Sequence, residues 1–588
     1  MSFYTHDNTV DSPLNNFATL NPNWRDNNNT GGTWGSDAKL NDGNLTYYSN
    51  NAAYNHQVYV RIPKGIWYFE IRINNSAEVL WFKDEDSSSS ANIERTSNTS
   101  TKIYAVCTDF TTGKIWFSVN SKIAENVVDT GINPQLTLAG FESVKLGMGD
   151  WWGSTTHHHT FNFGQDASFS GRVAPSVTYQ DVNGIGQFYY QPPAGALALC
   201  TANIPSGPID IANDDVPSDY MKAVKYTATS GALNLDLGIE ADLIWVKKTS
   251  GVERHALFDS VRGHHPAGGS YMLSSNLTVG QSADSSGNNG ALVTSPNTTS
   301  RLTCDANKGY VNDPNYRFVA WCWKAAGAPA DGQAKVINED GSDGTMSTAD
   351  LKQNTGATIT PAKVSANRKS GFSIVNFNSG SANSTASIPH GLGERPDFVI
   401  VKNTNTNATA WFVWHSAFAT PSNYLYLHLT SGLTDLTQDT TMWGNGHDIN
   451  KIGFRSGWGL LANNNHIAYC WHSVAGYSKF GSYVGNGSVD GPFVELGFRP
   501  AWLMVKRTDS STNGQWSIFD SVRSPINPSG AFLMADSSNE ELAFGNGIDI
   551  LSNGFKIREA AHALNNSSGT YIYAAFAEAP FNAPATAR

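Results

Sequence analysis

Three consecutive histidines, His157-His158-His159, are the most conspicuous candidate ligands in the chain. In a strand, His157 and His159 share one face at roughly 7 Å, with Phe161 and Phe163 further along it. Two imidazoles so placed could hold a metal if a neighbouring strand or a trimer axis completes the set. No carboxylate or thiol stands at obvious ligand spacing, and a solvated strand end is the competing reading. Flat aromatic faces that can stack on sugar rings are the second kind of candidate chemistry. Trp151 and Trp152 follow Gly149-Asp150 and precede Gly153, which suggests a loop edge. In an extended chain one of them faces in and the other out. Trp443 and Trp458 lie in Gly- and Asn-rich segments. These four tryptophans are the candidate ligand contacts, with loop anchoring as the alternative for each.

Catalytic signatures are absent from the sequence: there is no HExxH, Walker loop or GxSxG elbow. Asn338-Glu339-Asp340-Gly341-Ser342-Asp343-Gly344 has the oxygen density of a calcium loop. It lacks the EF-hand spacing that ends in Glu, and it reads as an acidic turn. Gly457-Trp458-Gly459-Leu460-Leu461-Ala462 matches a dinucleotide-binding pattern by letters only. Asn463-Asn464-Asn465 follows where the phosphate-binding helix should start. A pair of glycosidase carboxylates distant in sequence stays open. The expectation is a non-enzyme with no cofactor.

The elements that must position these residues are strands. Asn, Gly, Ser and Asp supply turns, while Val, Ile, Thr, Tyr, Phe and Trp suit pleated, half-buried segments. Charged residues make up only 15% of the 588 residues, below what a helical cytosolic enzyme carries. That length implies roughly three to five domains. The formal net charge is −11 and no long basic run occurs, so no nucleic-acid partner is expected. No run of 18 apolar residues occurs, so no membrane insertion is expected. The start, Met1-Ser2-Phe3-Tyr4-Thr5-His6, lacks the pattern of a signal peptide. Cys107, Cys200, Cys304, Cys322 and Cys470 are odd in number and irregularly spaced, which reads as buried free thiols made in a reducing compartment.

Up to about residue 170 the chain alternates. Strands are read at Gly65–Ile73, Ile103–Cys107, Gly113–Asn120 and Thr160–Gln165. Two antiparallel sheets packed face to face would bury one side of each. The "GxWYFE" strand, the "tGkIwFsvN" strand and the closing "FNFGQ" resemble, in that order, a SPRY-like (concanavalin-like) sandwich. Asp11–Pro22 and the junction Pro192–Pro205 resemble segments of phage tail proteins that carry such a domain.

The remainder holds a threefold repeat. Leu237–Lys247, Leu392–Lys402 and Leu496–Lys506 are each a turn and then a mostly apolar strand ending in Lys. A second strand follows at His255–Arg262, Trp411–Ser416 and Trp516–Arg523. Aromatic strands close the copies at Phe318–Trp323, Ile467–His472 and Tyr571–Phe576. Trp414 aligns with Phe258 and Phe519, and Trp411 with Trp516, so these rings read as core, and Trp321, Trp323 and Trp471 with them. Asp259-Ser260 and Asp520-Ser521 recur, but the second copy has His415-Ser416; these read as turn or strand-end hydrogen bonders. The repeat resembles a module of phage tail-fibre and virion proteins.

The expected architecture is all-β and multidomain, with tandem antiparallel β-sandwich domains of jelly-roll or concanavalin-like form. The expected boundaries are 1–170 for the SPRY-like sandwich, 171–222 for a junction and 223–327 for module 1. A linker or small insertion follows at 328–366, then module 2 at 367–475 and module 3 at 476–588. What the two resemblances imply is a bacteriophage virion protein of tail-fibre type that helps recognise a host-surface glycan. It would assemble as a homotrimer with other virion and tail proteins. The alternatives are a purely structural virion component and a polysaccharide-degrading tail spike.

Overall fold

The alternating segment after Gly65 forms β1 (Ile66–Asn74), at the centre of the larger of two antiparallel sheets in the first 205 residues of the computed structural model. β1 pairs on one side with β2 (Lys102–Asp109), which pairs with β3 (Lys114–Val119). On its other side lies β4 (His157–Asn162), opposite Glu70–Asn74. Sequence alone places this last strand at 160–165; Gly164, at φ 123°, bends the chain away and ends it earlier. The structure describes residues 65–74, 101–110, 112–124, 134, 157–200, 203 and 209, the backbone of further strands at 25–26, 39–41, 46–49, 57–62, 78–84, 90–96, 136–137 and 144–150, and 215–580 except 264–269, 282–290, 294–299, 383–384, 436–441, 458–459, 552 and 561.

The segment expected as a junction, 171–222, is divided. β5 (Leu197–Ala198) pairs in parallel with β1 at Trp67 and Tyr68, the part that β4 leaves open. Phe188, Ala196, Ala198 and Cys200 share a core with Tyr68, Cys107 and Trp116. These apolar side chains tie the segment to the first unit as far as Cys200, and the turn Pro217–Asp219 opens the described part of the second.

The second unit, Ser206–Arg588, holds the repeat. Module 1 is built on β6 (Met221–Thr227), β7 (Leu243–Lys248), β8 (Ala256–Asp259) and β9 (Arg317–Trp323), side by side in the order β6-β9-β7-β8. The next stretch is ordered: β10 (Gln333–Ile337), β11 (Asp343–Ser347), α1 (Thr348–Thr355) and β12 (Lys363–Asn367). Ser347 caps α1 by accepting the Asp350 N–H at 3.0 Å, and left-handed Gly356 ends it. β12 pairs with β10 in parallel and with β13 (Phe372–Asn378), so this insertion widens the sheet of module 2. Module 2 continues with β14 (Phe398–Asn403), β15 (Trp411–His415) and β16 (Asn465–Trp471), in the order β13-β16-β14-β15. Module 3 repeats this with β17 (Ser478–Val484), β18 (Phe498–Arg507), β19 (Trp516–Asp520) and β20 (Thr570–Pro580), in the order β17-β20-β18-β19. The registers agree: Lys247 lies opposite Val319, Lys402 opposite Ile467 and Lys506 opposite Ile572.

Each main sheet is buried on both faces. Along β9, Phe318, Ala320 and Cys322 face the core of module 1 itself. Val319, Trp321 and Trp323 face a core shared by all three modules. Ile467, Tyr469 and Trp471 of β16 enter that shared core, as do Ile572, Ala574 and Phe576 of β20. The equivalent rings converge: Trp323 lies 6.3 Å from Trp471 and 5.7 Å from Phe576. Tandem sandwiches with one solvated face would show alternation; here the strands are apolar throughout because both faces are covered.

Equivalent contacts close the modules into a ring. Trp411 Nε1 donates to the Ser274 carbonyl of module 1 at 3.0 Å, and Trp516 Nε1 to the Tyr426 carbonyl of module 2 at 2.9 Å. His255 Nε2 donates to the Met534 carbonyl of module 3 at 2.9 Å. Backbone bonds follow the same rotation, from Gln281 N–H to Thr404, from Leu433 to Thr508 and from Glu541 to Thr249. The buried lysines do so too: Lys402 reaches Thr278, Lys506 reaches Thr430 and Lys247 reaches Ser538, each at a carbonyl. The second unit is therefore a pseudo-threefold ring within one chain.

Candidate ligand-binding cleft

In the first unit, the chain beyond β4 folds back on a buried carboxylate. Asn162 Oδ1 accepts the N–H groups of Gly164 and Asp166, and its Nδ2 donates to Glu70 at 3.0 Å. Tyr179 and Phe188 exchange backbone hydrogen bonds at 2.9 and 2.8 Å. Between them Asp181 Oδ1 accepts from Asn183 and Ile185, the local side-chain capping that Asp offers a turn. Its Oδ2 accepts from the backbone of Ala198 and from Asn203. The next two residues are held by Glu70, which accepts the N–H of Tyr189 at 2.9 Å and of Tyr190 at 2.7 Å. Tyr68 donates its hydroxyl to the same carboxylate at 3.0 Å. Burial pushes the pKa of Glu70 up to about 7, against the pull of these donors.

The result is a cleft of about 500 Å³ lined by Tyr179, Tyr189, Tyr190, Gln191 and Lys122. The three tyrosines are half-buried. The rings of Tyr189 and Tyr190 meet edge to face, with centroids 4.9 Å apart and planes at 84°. Burial, then Tyr189 and Glu70, raise the pKa of Tyr190, so it stays a neutral phenol. The Gln191 amide makes only long contacts, at 3.5 Å to the Gln180 and Pro192 carbonyls. The cleft thus offers aromatic faces, phenol hydroxyls, an amide and an ammonium. Among the described residues that line it there is no carboxylate, and both oxygens of Glu70 are engaged behind it. This chemistry suits holding a polar ring rather than acid–base work on one.

The residues singled out in the sequence lie elsewhere. Trp443 is fully buried in the core of module 2, a correction to its reading as a ligand contact. Its Nε1 donates to the Asn423 carbonyl at 3.0 Å, and the turn through Gly444 and Gly446 folds over it. The Gly-rich segment that suggested an open loop serves that close packing. Trp151, Trp152 and Trp458 lie outside the described residues. His157 and His159 fall in β4, opposite Ser49 and Tyr47. His159 is fully buried, so a solvated strand end does not describe it, and the side chain of His157 lies outside the described residues. Among the described residues, no three His, Cys, Asp or Glu come together as metal ligands. The acidic segment 338–344 is the hairpin turn between β10 and β11, where Asp340 accepts the Ser342 N–H at 2.9 Å. All five cysteines are buried free thiols.

Glu70 had a signal in the sequence: it is a lone carboxylate inside the apolar run Ile66–Ile71. The cleft tyrosines had none, because residues 176–191 follow no strand or helix period.

No curated protein matches the chain. The model of a domain of unknown function, DUF7483, matches residues 216–580. The match begins beside the turn Pro217–Asp219 and ends with β20, so it spans the whole ring. The chain belongs to the DUF7483 family.

Proposed function

We propose that the protein is a bacteriophage virion component of tail-fibre type that contributes to recognition of the host surface. What carries this reading is a division of labour between the units. The second unit buries most of its described aromatic residues in its cores, while the first leaves tyrosines at an open cleft. A rigid scaffold that presents a polar-aromatic cleft is the physical form of an adhesin. The resemblances of the first unit to SPRY-like sandwiches and of the repeat to tail-fibre modules support the same reading. Self-association as a homotrimer with other virion proteins belongs to the proposal. The ring uses its own three interfaces within one chain, so a trimer would form through other surfaces. Many copies on one particle would make weak contacts effective.

The test is binding of fluorescently labelled full-length protein to a panel of bacterial cells, together with competition against phage adsorption. Saturable binding that blocks adsorption is the expected result. A purely structural virion role is the second reading, favoured by the closure of the ring; failure to bind any susceptible host would select it.

A further inference from the structure

The geometry points to the Tyr179–Tyr189–Tyr190 cleft as a saccharide-binding site. This inference rests on the host-recognition reading and names the ligand class of its site. A pyranose presents an apolar C–H face and a rim of hydroxyls. With the planes of Tyr189 and Tyr190 at 84°, one ring can lie under that face while the other meets its edge. The phenol oxygens, the Gln191 amide and the Lys122 ammonium supply donors and acceptors for the rim. A volume of about 500 Å³ falls within the usual range of small-molecule sites, roughly 300–1,000 Å³. That is room for a short oligosaccharide and too little for a folded partner segment.

The site is also preorganised. One buried carboxylate holds the backbone of both tyrosines, so little ordering remains to be done on binding. Tyrosine loses few rotatable bonds when a ligand settles on it. Lys122 is the one charged side chain among the described lining residues, which favours neutral or acidic sugars over cationic ones.

Saturation-transfer NMR on the full chain tests this, with the methyl glycosides of glucose, galactose, mannose, N-acetylglucosamine and glucuronic acid as probes. At least one should receive saturation from the protein. Tyr190→Ala should weaken that probe about tenfold, the loss of roughly one stacking contact. Tyr190→Phe should keep most of the signal. Lys122→Ala, at an exposed position, should weaken glucuronide in preference to glucoside while the melting temperature of the chain stays unchanged. Transfer to none of the five, or transfer unchanged in Tyr190→Ala, overturns the proposal. So does capture of another virion protein that is lost in Tyr190→Ala when no sugar binds. Cell binding by a protein that takes no sugar would overturn this site alone; absence of cell binding would overturn the broader reading.

Discussion

Trp321 in the first module donates its indole N–H to the carboxylate of Asp520 in the third at 2.9 Å, across a sequence separation of 199 residues. The ring rotates the same relationship: Tyr469 of module 2 donates its hydroxyl to Asp259 of module 1 at 2.7 Å. In the third place Ala574 has no donor, and the acceptor position holds His415, which reaches the neighbouring Tyr573 carbonyl at 3.2 Å. Asp259 and Asp520 also bind Arg262 and Arg523 of their own modules, and Phe418 takes the arginine place in module 2. Donor, acceptor and arginine change together, which marks the position as a contact between modules.

Trp321→Phe keeps a ring and deletes the donor. It should cost about 1.5–3 kcal/mol, the range for a hydrogen bond to a charged group. A double-mutant cycle with Asp520→Asn, followed by denaturant unfolding, should show coupling of about 1 kcal/mol or more. Additive effects would break the link between modules 1 and 3.

A single module cannot stand alone. Freed from the ring, module 1 would expose Val319, Trp321 and Trp323, each contributing about 1.5–3 kcal/mol when buried. That sum is comparable to the whole stability of a typical domain. Residues 216–475, expressed without module 3, should aggregate or bind a hydrophobic dye. A circular permutant of 216–580 opened near residue 475 should fold, because the turn Pro217–Asp219 packs beside β20. Comparing their melting curves checks both expectations.

The ring should weaken in acid. His255 accepts the Trp245 indole N–H at Nδ1, and His415 accepts the Ala417 N–H at Nδ1. Both give their Nε2 proton to a carbonyl of another module, so both are fixed in the neutral form. Burial pulls their pKa values down to about 3 and about 4. A base whose folded pKa lies below its unfolded value contributes stability above the unfolded pKa and loses it as pH falls towards the folded one. Stability should therefore drop as pH falls from about 6.5, down to about 4 for His415 and about 3 for His255, by on the order of 3–5 kcal/mol per histidine. Replacing His415 by Gln should flatten that slope in denaturant melts taken across the range.

Much of the ring was legible in the sequence, and its closure was not. Leu237–Lys247, Leu392–Lys402 and Leu496–Lys506 showed three copies, and aligned rings such as Trp411 and Trp516 are buried as that alignment implied. The strands also carried the signal for a third layer, being apolar on both faces. The spacing of the repeats suits one sandwich per copy, and nothing in that spacing says that the copies share a core. Asp259, His415 and Asp520 looked like strand-end hydrogen bonders; their partners come from other modules, and no local pattern encodes that. The repeated lysines Lys247, Lys402 and Lys506 carried no sign of their partners in the sequence; Lys402 is buried and satisfied by Thr278 and Thr409. The cleft went unseen because its tyrosines are placed by a carboxylate more than 100 residues earlier.

Glu70→Gln should loosen the cleft. An amide in place of the carboxylate turns one acceptor into a donor facing other donors, at about 1–3 kcal/mol. The folded pKa of Glu70 is raised, so its contribution is fully present below about pH 4.5 and is lost as pH rises through about 7. The variant should remove that slope from the melting of the first unit and shift the amide resonances of Tyr189 and Tyr190.

One comparison bears on host recognition most directly: labelled full-length protein and its Tyr189→Ala/Tyr190→Ala variant, each titrated onto susceptible bacterial cells. Recognition through the cleft predicts saturable binding by the first and at least tenfold weaker binding by the second, with the ring melting at the same temperature in both. Equal binding by the two proteins, or none by either, would contradict it.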